Sequence, residues 1–457
     1  MKRPMLRALW LIACTLALPA LAGADTKKPV ANFRDALARS CSAARRTSGS
    51  EFPASCLASS VTRRVISGNV VEYSLVVRTG PGEHDRIGLH RVVQESAPNA
   101  AAHARHAILF AHGDAWGFDG AFLANLATPG ASPDHAAPVF LAEHGVDVWG
   151  IDFGWTLVPA GATDFTFLRG WGIDRDARDL GIALALARVV RLTEGNSFDK
   201  IDLLGWSRGG QIGYAYLNAE TQAPRGLRQV KGFVPVDIFL KTDDETLRQA
   251  ACARAATEQA TVDAGTFENT TGVLFQTLGN LALTAPAAAS PVVPGFTNRQ
   301  AGLVAGSATY VFFPPGLAVV PFYHFAGGTF DGGGLPTGLS FTPENPWFHF
   351  ETGPAPFESQ QVVVDGDDVI CNEKNVSFDD HLAQITVPVL YLGAGGGFGD
   401  FGVYTTTLLG SHDVTTHVVH LVPAAQRALD IGHADIWNAT DAPSLFWQPI
   451  LGWIGGH

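Results

Sequence analysis

Six compact apolar runs punctuate the chain, at 107–111, 146–151, 201–204, 230–236, 387–392 and 418–422. Each is short and nearly continuous, the pattern of a strand covered on both faces. Between them lie longer stretches of helical spacing. Residues 174–193 place Leu180, Leu184, Val189 and Leu192 near one helix face, and Gly195-Asn196-Ser197 ends that run. Residues 208–220 predict a second helix. Alternation of strand and helix predicts a mostly parallel, doubly wound sheet. Upstream, 63–78 is rich in β-branched residues and predicts one long strand or a strand pair, with 86–93 as the next strand. Gly80-Pro81-Gly82 separates them as a turn.

The alternation stops between 238 and 386. A charged helical stretch, 241–260, opens this interval, and the rest is rich in proline, glycine and aromatic residues. It predicts a large insertion, a cap over the ligand edge of the sheet. Its aromatic residues either line an apolar acyl or aryl pocket or fill the core of the cap. No fixed-period repeat is evident.

The first residues predict an export signal. Lys2, Arg3 and Arg7 precede an apolar run over 8–18, followed by Pro19 and Ala20-Leu21-Ala22. The run is shorter than the ~20 apolar residues of a membrane span. The expected organisation is a signal peptide at 1–24, an arm at 25–60, a first core part at 61–238, the cap at 239–386 and a second core part at 387–457. A lipobox-like Leu11-Ile12-Ala13-Cys14 leaves a lipoprotein as the alternative to secreted or periplasmic release. No stable transmembrane segment is expected after signal removal. Loss of Cys14 leaves four cysteines, and an even number in an exported chain suggests two disulfides, with Cys41–Cys56 and Cys252–Cys371 the favoured pairing. The net charge of −12 argues against nucleic acid, which needs a basic footprint.

The chemistry sits on separated pieces. Gly205-Trp206-Ser207-Arg208-Gly209 joins a predicted strand to a predicted helix, a context that lifts a serine hydroxyl above the sheet edge in a strained turn. A serine needs a base to become a nucleophile. His433 lies in the loop after the last predicted strand, where chain order places such a base; His417 and His420 look structural. For the acid that orients the imidazole, Asp400 is expected, after the run Gly393-Ala394-Gly395-Gly396-Gly397-Phe398-Gly399. Asp237, at the end of run 230–236, is the second choice and Asp413 the third. The negative charge of a tetrahedral intermediate needs backbone donors. They are assigned to the amides of Arg208 and of Asp114, with Ala115 as runner-up, in the loop that begins His112-Gly113. His112 is read as fixing that loop.

These pieces resemble the α/β-hydrolase superfamily, in its lipase and esterase part. The matching residues are His112-Gly113, the Gly205–Gly209 turn, Asp400, Gly432-His433-Ala434-Asp435, and 141–149 with Asp152-Phe153-Gly154 after it. The resemblance implies an α/β-hydrolase fold with acyl transfer to water. Ser207 would attack, His433 would relay the proton, and no cofactor or metal would take part. Expected substrates are small-molecule or lipid esters of hydrophobic acyl or aryl groups. A peptidase, an acyltransferase and a catalytically silent binding protein share the same signals. Asp365-Gly366-Asp367-Asp368 lacks the full EF-hand spacing and predicts a turn.

Overall fold

The structure is a computed structural model that describes residues 61–457. The signal sequence, the arm and the Cys41–Cys56 pairing lie outside the described residues. Nine strands build the main sheet: β1 (Thr62–Ser67), β2 (Val70–Arg78), β3 (Arg86–Ala97), β4 (His106–Ala111), β5 (Val146–Asp152), β6 (Ile201–Trp206), β7 (Val230–Val236), β8 (Val389–Ala394) and β9 (Val414–Val419). Their spatial order is β1-β2-β3-β5-β4-β6-β7-β8-β9, and a two-residue strand, Ala100–Ala101, pairs with β3. The first three strands run antiparallel to their neighbours. From β5 to β9 every pairing is parallel. The stretch at 63–78 is a strand pair, turned at Gly68 with φ +54°.

The continuous apolar runs become the covered strands: every residue of β6 and of β8 is buried. The sixth run is a correction. The last strand lies at Val414–Val419, mostly before 418–422, and its first three residues, Val414, Thr415 and Thr416, are exposed. It is an edge strand with one neighbour, so a continuous apolar run is the wrong signal for it. Its neighbour β8 is fully covered and was read nearly in place.

Helices α1 (Ala137–Glu143), α2 (Ile173–Thr193) and α3 (Arg208–Glu220) belong to the crossovers. The chain fills β5 on one side of β4 and then β6 on the other. The crevice beyond the carboxyl ends of β4 and β6 is therefore the switch point, where such sheets bind ligands. Between β7 and β8 the chain leaves the sheet. It forms α4 (Glu245–Asp263), α5 (Thr271–Thr284), α6 (Asn298–Ser307), α7 (Glu344–Glu351) and α8 (Gln360–Cys371). Asp244 caps α4 by accepting from the amides of Thr246 and Leu247 at 2.8 and 3.1 Å. Thr297 and Gln300 form a capping box on α6. A disulfide joins Cys252 on α4 to Cys371 on α8. The Asp365–Asp368 segment lies within α8, so the expected turn is corrected. Asp365 accepts from the amide of Ile173 at 2.9 Å, and Asp367 pairs with Arg254.

Candidate active site

Ser207 sits between β6 and α3 with φ +56° and ψ −130°, a conformation L residues rarely adopt. Glycines make this turn possible. A Cβ on Gly209 would lie 2.3 Å from the carbonyl oxygen of Ala111, and one on Gly113 would lie 2.6 Å from Ser207 Cβ. The Gly113 loop therefore presses directly against the serine. Ser207 occupies the N-cap position of α3 but makes no capping bond with its side chain, so the hydroxyl is not spent on the helix.

His433 faces Asp237, not Asp400. Its Nδ1 lies 2.6 Å from Asp237 Oδ2, and both residues are buried, at 1 % and 0 % exposure. The carboxylate accepts, so Nδ1 carries the proton and Nε2 is left as the basic nitrogen. The imidazole stacks on Trp206, the residue before Ser207, with ring centres 4.8 Å apart. The amide of Ser207 donates to Val236 O at 3.0 Å, so serine and acid stand at adjacent strand ends.

Asp237 is held by the glycine-rich loop. Its Oδ1 accepts from the amides of Ala394 and Gly399 at 2.9 and 2.8 Å, and its Oδ2 accepts from Phe398 N at 3.1 Å. A Cβ on Gly397 would lie 1.9 Å from Oδ2. The long glycine run thus exists so that backbone can wrap a carboxylate. Asp237 itself has φ +47°, a second strained residue at the site. Arg427 closes the back of this loop, donating to the carbonyls of Gly395 and Gly397, and to Pro321 O at 3.0 Å.

Asp400 is elsewhere. Its side chain is 69 % exposed and pairs with His420 Nε2 at 3.1 Å. The expectation of Asp400 as the partner of His433 is corrected on this geometry. Asp413 pairs with His457 at 3.1 Å, also on the surface. His417, in β9, lies 2.8 Å from Leu445 O through Nε2.

His112 is fully buried. The amide of Phe153 donates to its Nε2 at 3.2 Å, so Nε2 accepts and Nδ1 carries the proton, directed to Gly113 O at 2.9 Å. Burial lowers its pKa, in keeping with this neutral form. It ties the end of β4 to the end of β5. Three residues on, Ala115 has φ +64°, and its carbonyl accepts from Ala355 N at 2.7 Å. Trp116 Nε1 donates to Phe350 O at 3.0 Å. The insertion is thereby docked on the Gly113–Trp116 loop.

Asp114 and Arg208 are joined through their side chains. Arg208 Nε and Nη2 donate to Asp114 Oδ1 and Oδ2 at 2.8 and 3.1 Å, a fork-to-carboxylate pair. Gly366 of α8 leaves room for that guanidinium, since a Cβ there would lie 1.3 Å from Arg208 Nη1. The insertion also supplies Tyr323 and Phe325, whose ring centres lie 5.4 and 5.6 Å from that of His433.

Two clusters among the described residues bring potential metal ligands together: Cys252, Cys371 and Glu373, whose sulfurs are joined in the disulfide, and Glu72, His90 and Asp119. Cationic groups already take up the carboxylates of the second cluster. Arg64 donates to Glu72 at 2.8 Å and to Asp119 at 3.2 Å. His90 bridges Glu72 and Asp152 at 2.8 and 2.9 Å. Among the described residues no helix is long and apolar enough to cross a membrane.

Strand order, the serine turn after β6 and the insertion after β7 define an α/β-hydrolase fold. No family model matches the sequence, and no curated protein sequence matches it. Among solved structures, a candidate lipase from Sulfolobus solfataricus is 15 % identical. It aligns over 87 % of this chain and 99 % of its own, with a TM-score of 0.59. That likeness bears on the fold. A thermophilic esterase from Thermogutta terrifontis is 13 % identical over 87 % of this chain and 99 % of its own. A monoglyceride lipase variant from Saccharomyces cerevisiae is 11 % identical over 88 % and 97 %. Both have TM-scores of 0.39 and add nothing to the argument.

Proposed function

We propose that the protein is a serine hydrolase that cleaves carboxylic esters through an acyl-enzyme. The observation that carries this reading is the 2.6 Å bond from His433 to Asp237, placed at the strand end beside the strained Ser207 turn. In this reading Ser207 attacks the ester carbonyl and His433 Nε2 takes its proton. The backbone amides of Arg208 and Asp114 receive the developing oxyanion. His433 then protonates the leaving alcohol, and a water repeats the sequence to release the acid. Asp237 holds the tautomer and stabilises the imidazolium as it forms. No other group is needed to balance these steps.

Export accompanies this reading. The basic and apolar first residues support it, and the Cys252–Cys371 disulfide suits an oxidising compartment.

The test is hydrolysis of p-nitrophenyl esters across acyl lengths, with fluorophosphonate labelling, on the wild type and Ser207→Ala. Turnover and labelling that both vanish in Ser207→Ala support the reading. A folded wild type that neither turns over esters nor labels contradicts it.

A further inference from the structure

His433 is boxed in by aromatic rings. Tyr323 and Phe325 of the insertion, and Phe398 of the glycine-rich loop, have ring centres 5.4, 5.6 and 5.5 Å from that of the imidazole. They meet it at steep interplanar angles of 52°, 66° and 76°. Trp206 differs from all three. Its ring centre lies 4.8 Å away at an angle of only 25°, so the indole turns its face to the imidazole. That separation is inside the ~6 Å at which a cation is drawn to the negative face of a ring, and tryptophan is the best of the aromatic partners. Both residues are buried, so water does not screen the contact.

No hydrogen bond to a described residue explains an indole at this position. Trp206 Nε1 is buried and unpartnered among the described residues. A buried N–H without a partner costs free energy that a phenylalanine would not incur. The ring is nevertheless held firmly. Trp116, Phe122, Phe350 and Trp437 meet it at 65°, 66°, 66° and 89°, with ring centres 6.2 to 6.3 Å away. Its backbone is fixed as well, since Trp206 pairs with Val236 at the ends of β6 and β7. The next residues on those two strands are Ser207 and Asp237. One pair of strand ends therefore sets the serine, the acid and the indole together. What tryptophan supplies there beyond a smaller ring is its π face.

We propose that Trp206 is a positioning residue whose π face holds His433 and stabilises its imidazolium form. This inference rests on the serine hydrolase reading above. As Ser207 Oγ bonds to the ester carbon, its proton passes to His433 Nε2 and the imidazole becomes a cation. Asp237 meets that charge at the edge of the ring, through Nδ1, and Trp206 meets it from the face. The neutral imidazole of the resting enzyme gains less from the same contact. The advantage thus belongs to the transition state, and it raises kcat with little effect on KM. The ionisable groups that face His433 are Asp237, from β7, and Tyr323, from the insertion. Asp114, after β4, acts on it by charge and is itself tied to Arg208. Arg427, Asp430 and Asp435 are turned to backbone atoms of Gly395, Leu421 and Gly432.

The experiment places mono- and difluorotryptophan at position 206 by amber suppression. Fluorine weakens the negative face and leaves the size and shape of the ring almost unchanged. Trp206→Phe and Trp206→Leu are made alongside, and kcat and KM on p-nitrophenyl butyrate are followed from pH 5 to 9. Each fluorine should lower kcat about twofold, and Trp206→Leu should lower it about tenfold, the scale of a buried cation–π contact. Trp206→Phe should fall between the wild type and Trp206→Leu, with KM within about twofold throughout. The acid limb of kcat/KM should move down by about 0.5–1 pH unit in Trp206→Leu, because the cationic ring loses a partner that favours it. Equal kcat in the wild type and both fluorinated proteins overturns the proposal, whether or not Trp206→Leu folds. A lower kcat in Trp206→Leu with the acid limb unmoved also overturns it, since that marks lost packing alone. A wild type that neither turns over the ester nor takes a fluorophosphonate label is a different result, which removes the hydrolase reading and this inference with it.

Discussion

Among the histidine–aspartate pairs of the described residues, His433–Asp237 and His420–Asp400 differ in almost every physical respect. His433 and Asp237 are buried and 2.6 Å apart. His420 and Asp400 are 3.1 Å apart, with side chains 39 % and 69 % exposed. Asp237 accepts from three backbone amides as well as from the histidine. In water a pair like His420–Asp400 is screened and its geometry is loose, so it contributes about 0–1 kcal/mol. Inside a cradle of fixed dipoles a carboxylate is preorganised and needs no rearrangement when charge develops on its partner. A histidine near an aspartate is therefore not yet a catalytic pair. What distinguishes one is the set of donors that holds the acid.

The same substitution in each histidine gives the largest expected contrast. His433→Gln should lower kcat for ester hydrolysis by at least about 10⁴-fold, because the proposed base is gone. His420→Gln should change it by less than about twofold. Steady-state kinetics on one p-nitrophenyl ester checks both.

The cradle can be disturbed without touching either residue of the buried pair. Gly397→Ala forces a methyl group into Asp237 Oδ2. Overpacking of this kind costs about 1–3 kcal/mol. The expected result is a lower melting temperature and a kcat reduced about 10–100-fold, since sub-ångström misplacement of an orienting group weakens catalysis. Normal kcat in Gly397→Ala would show that the cradle does not position the acid.

A third carboxyl sharpens the point from the opposite direction. Glu351, on α7, is fully buried, and neither oxygen has a hydrogen-bond partner among the described residues. Burial raises its pKa well above the usual range. The folded chain then binds a proton that the unfolded chain has released. This contribution to stability is greatest below the ordinary glutamate pKa and is lost as pH rises toward the folded value. Glu351→Gln should flatten that part of the profile, which melting temperatures measured from pH 4 to 9 on both proteins will show. An unchanged slope would mean that Glu351 has found a partner.

The smallest effect belongs to the exposed pair. Loss of Asp400 should shift stability by no more than about 0.5 kcal/mol, readable in urea unfolding.

Much of this was legible from residue order. The covered strands are short apolar runs, and β7 and α3 lie where the sequence places them, because burial on both faces leaves an unambiguous signal. The serine turn was legible for the same reason: its glycines are demanded by close approach on every side. The acid was harder. Asp237 ends β7 and was recognised as able to reach His433, yet the glycine run suggested a chain aimed at Asp400. Six nearly consecutive small residues are better read as backbone that must pack against something, and here that is the carboxylate of Asp237. Strand β9 was misplaced because an edge strand half in water carries polar residues. The Asp114–Arg208 pair spans 94 residues of sequence, and Tyr323 is one aromatic residue among many in the insertion. No local pattern announces such contacts, since they exist only after β4, β6 and the insertion have come together.

The central claim is that Asp237 orients His433. Its most direct test is kcat for Asp237→Asn and Asp400→Asn, measured side by side on one p-nitrophenyl ester, with folding checked by circular dichroism. The account predicts a fall of about 10³–10⁴-fold for Asp237→Asn, because the amide no longer fixes the productive tautomer, and near wild-type turnover for Asp400→Asn. Near-normal activity in Asp237→Asn, with the loss in Asp400→Asn instead, would contradict it.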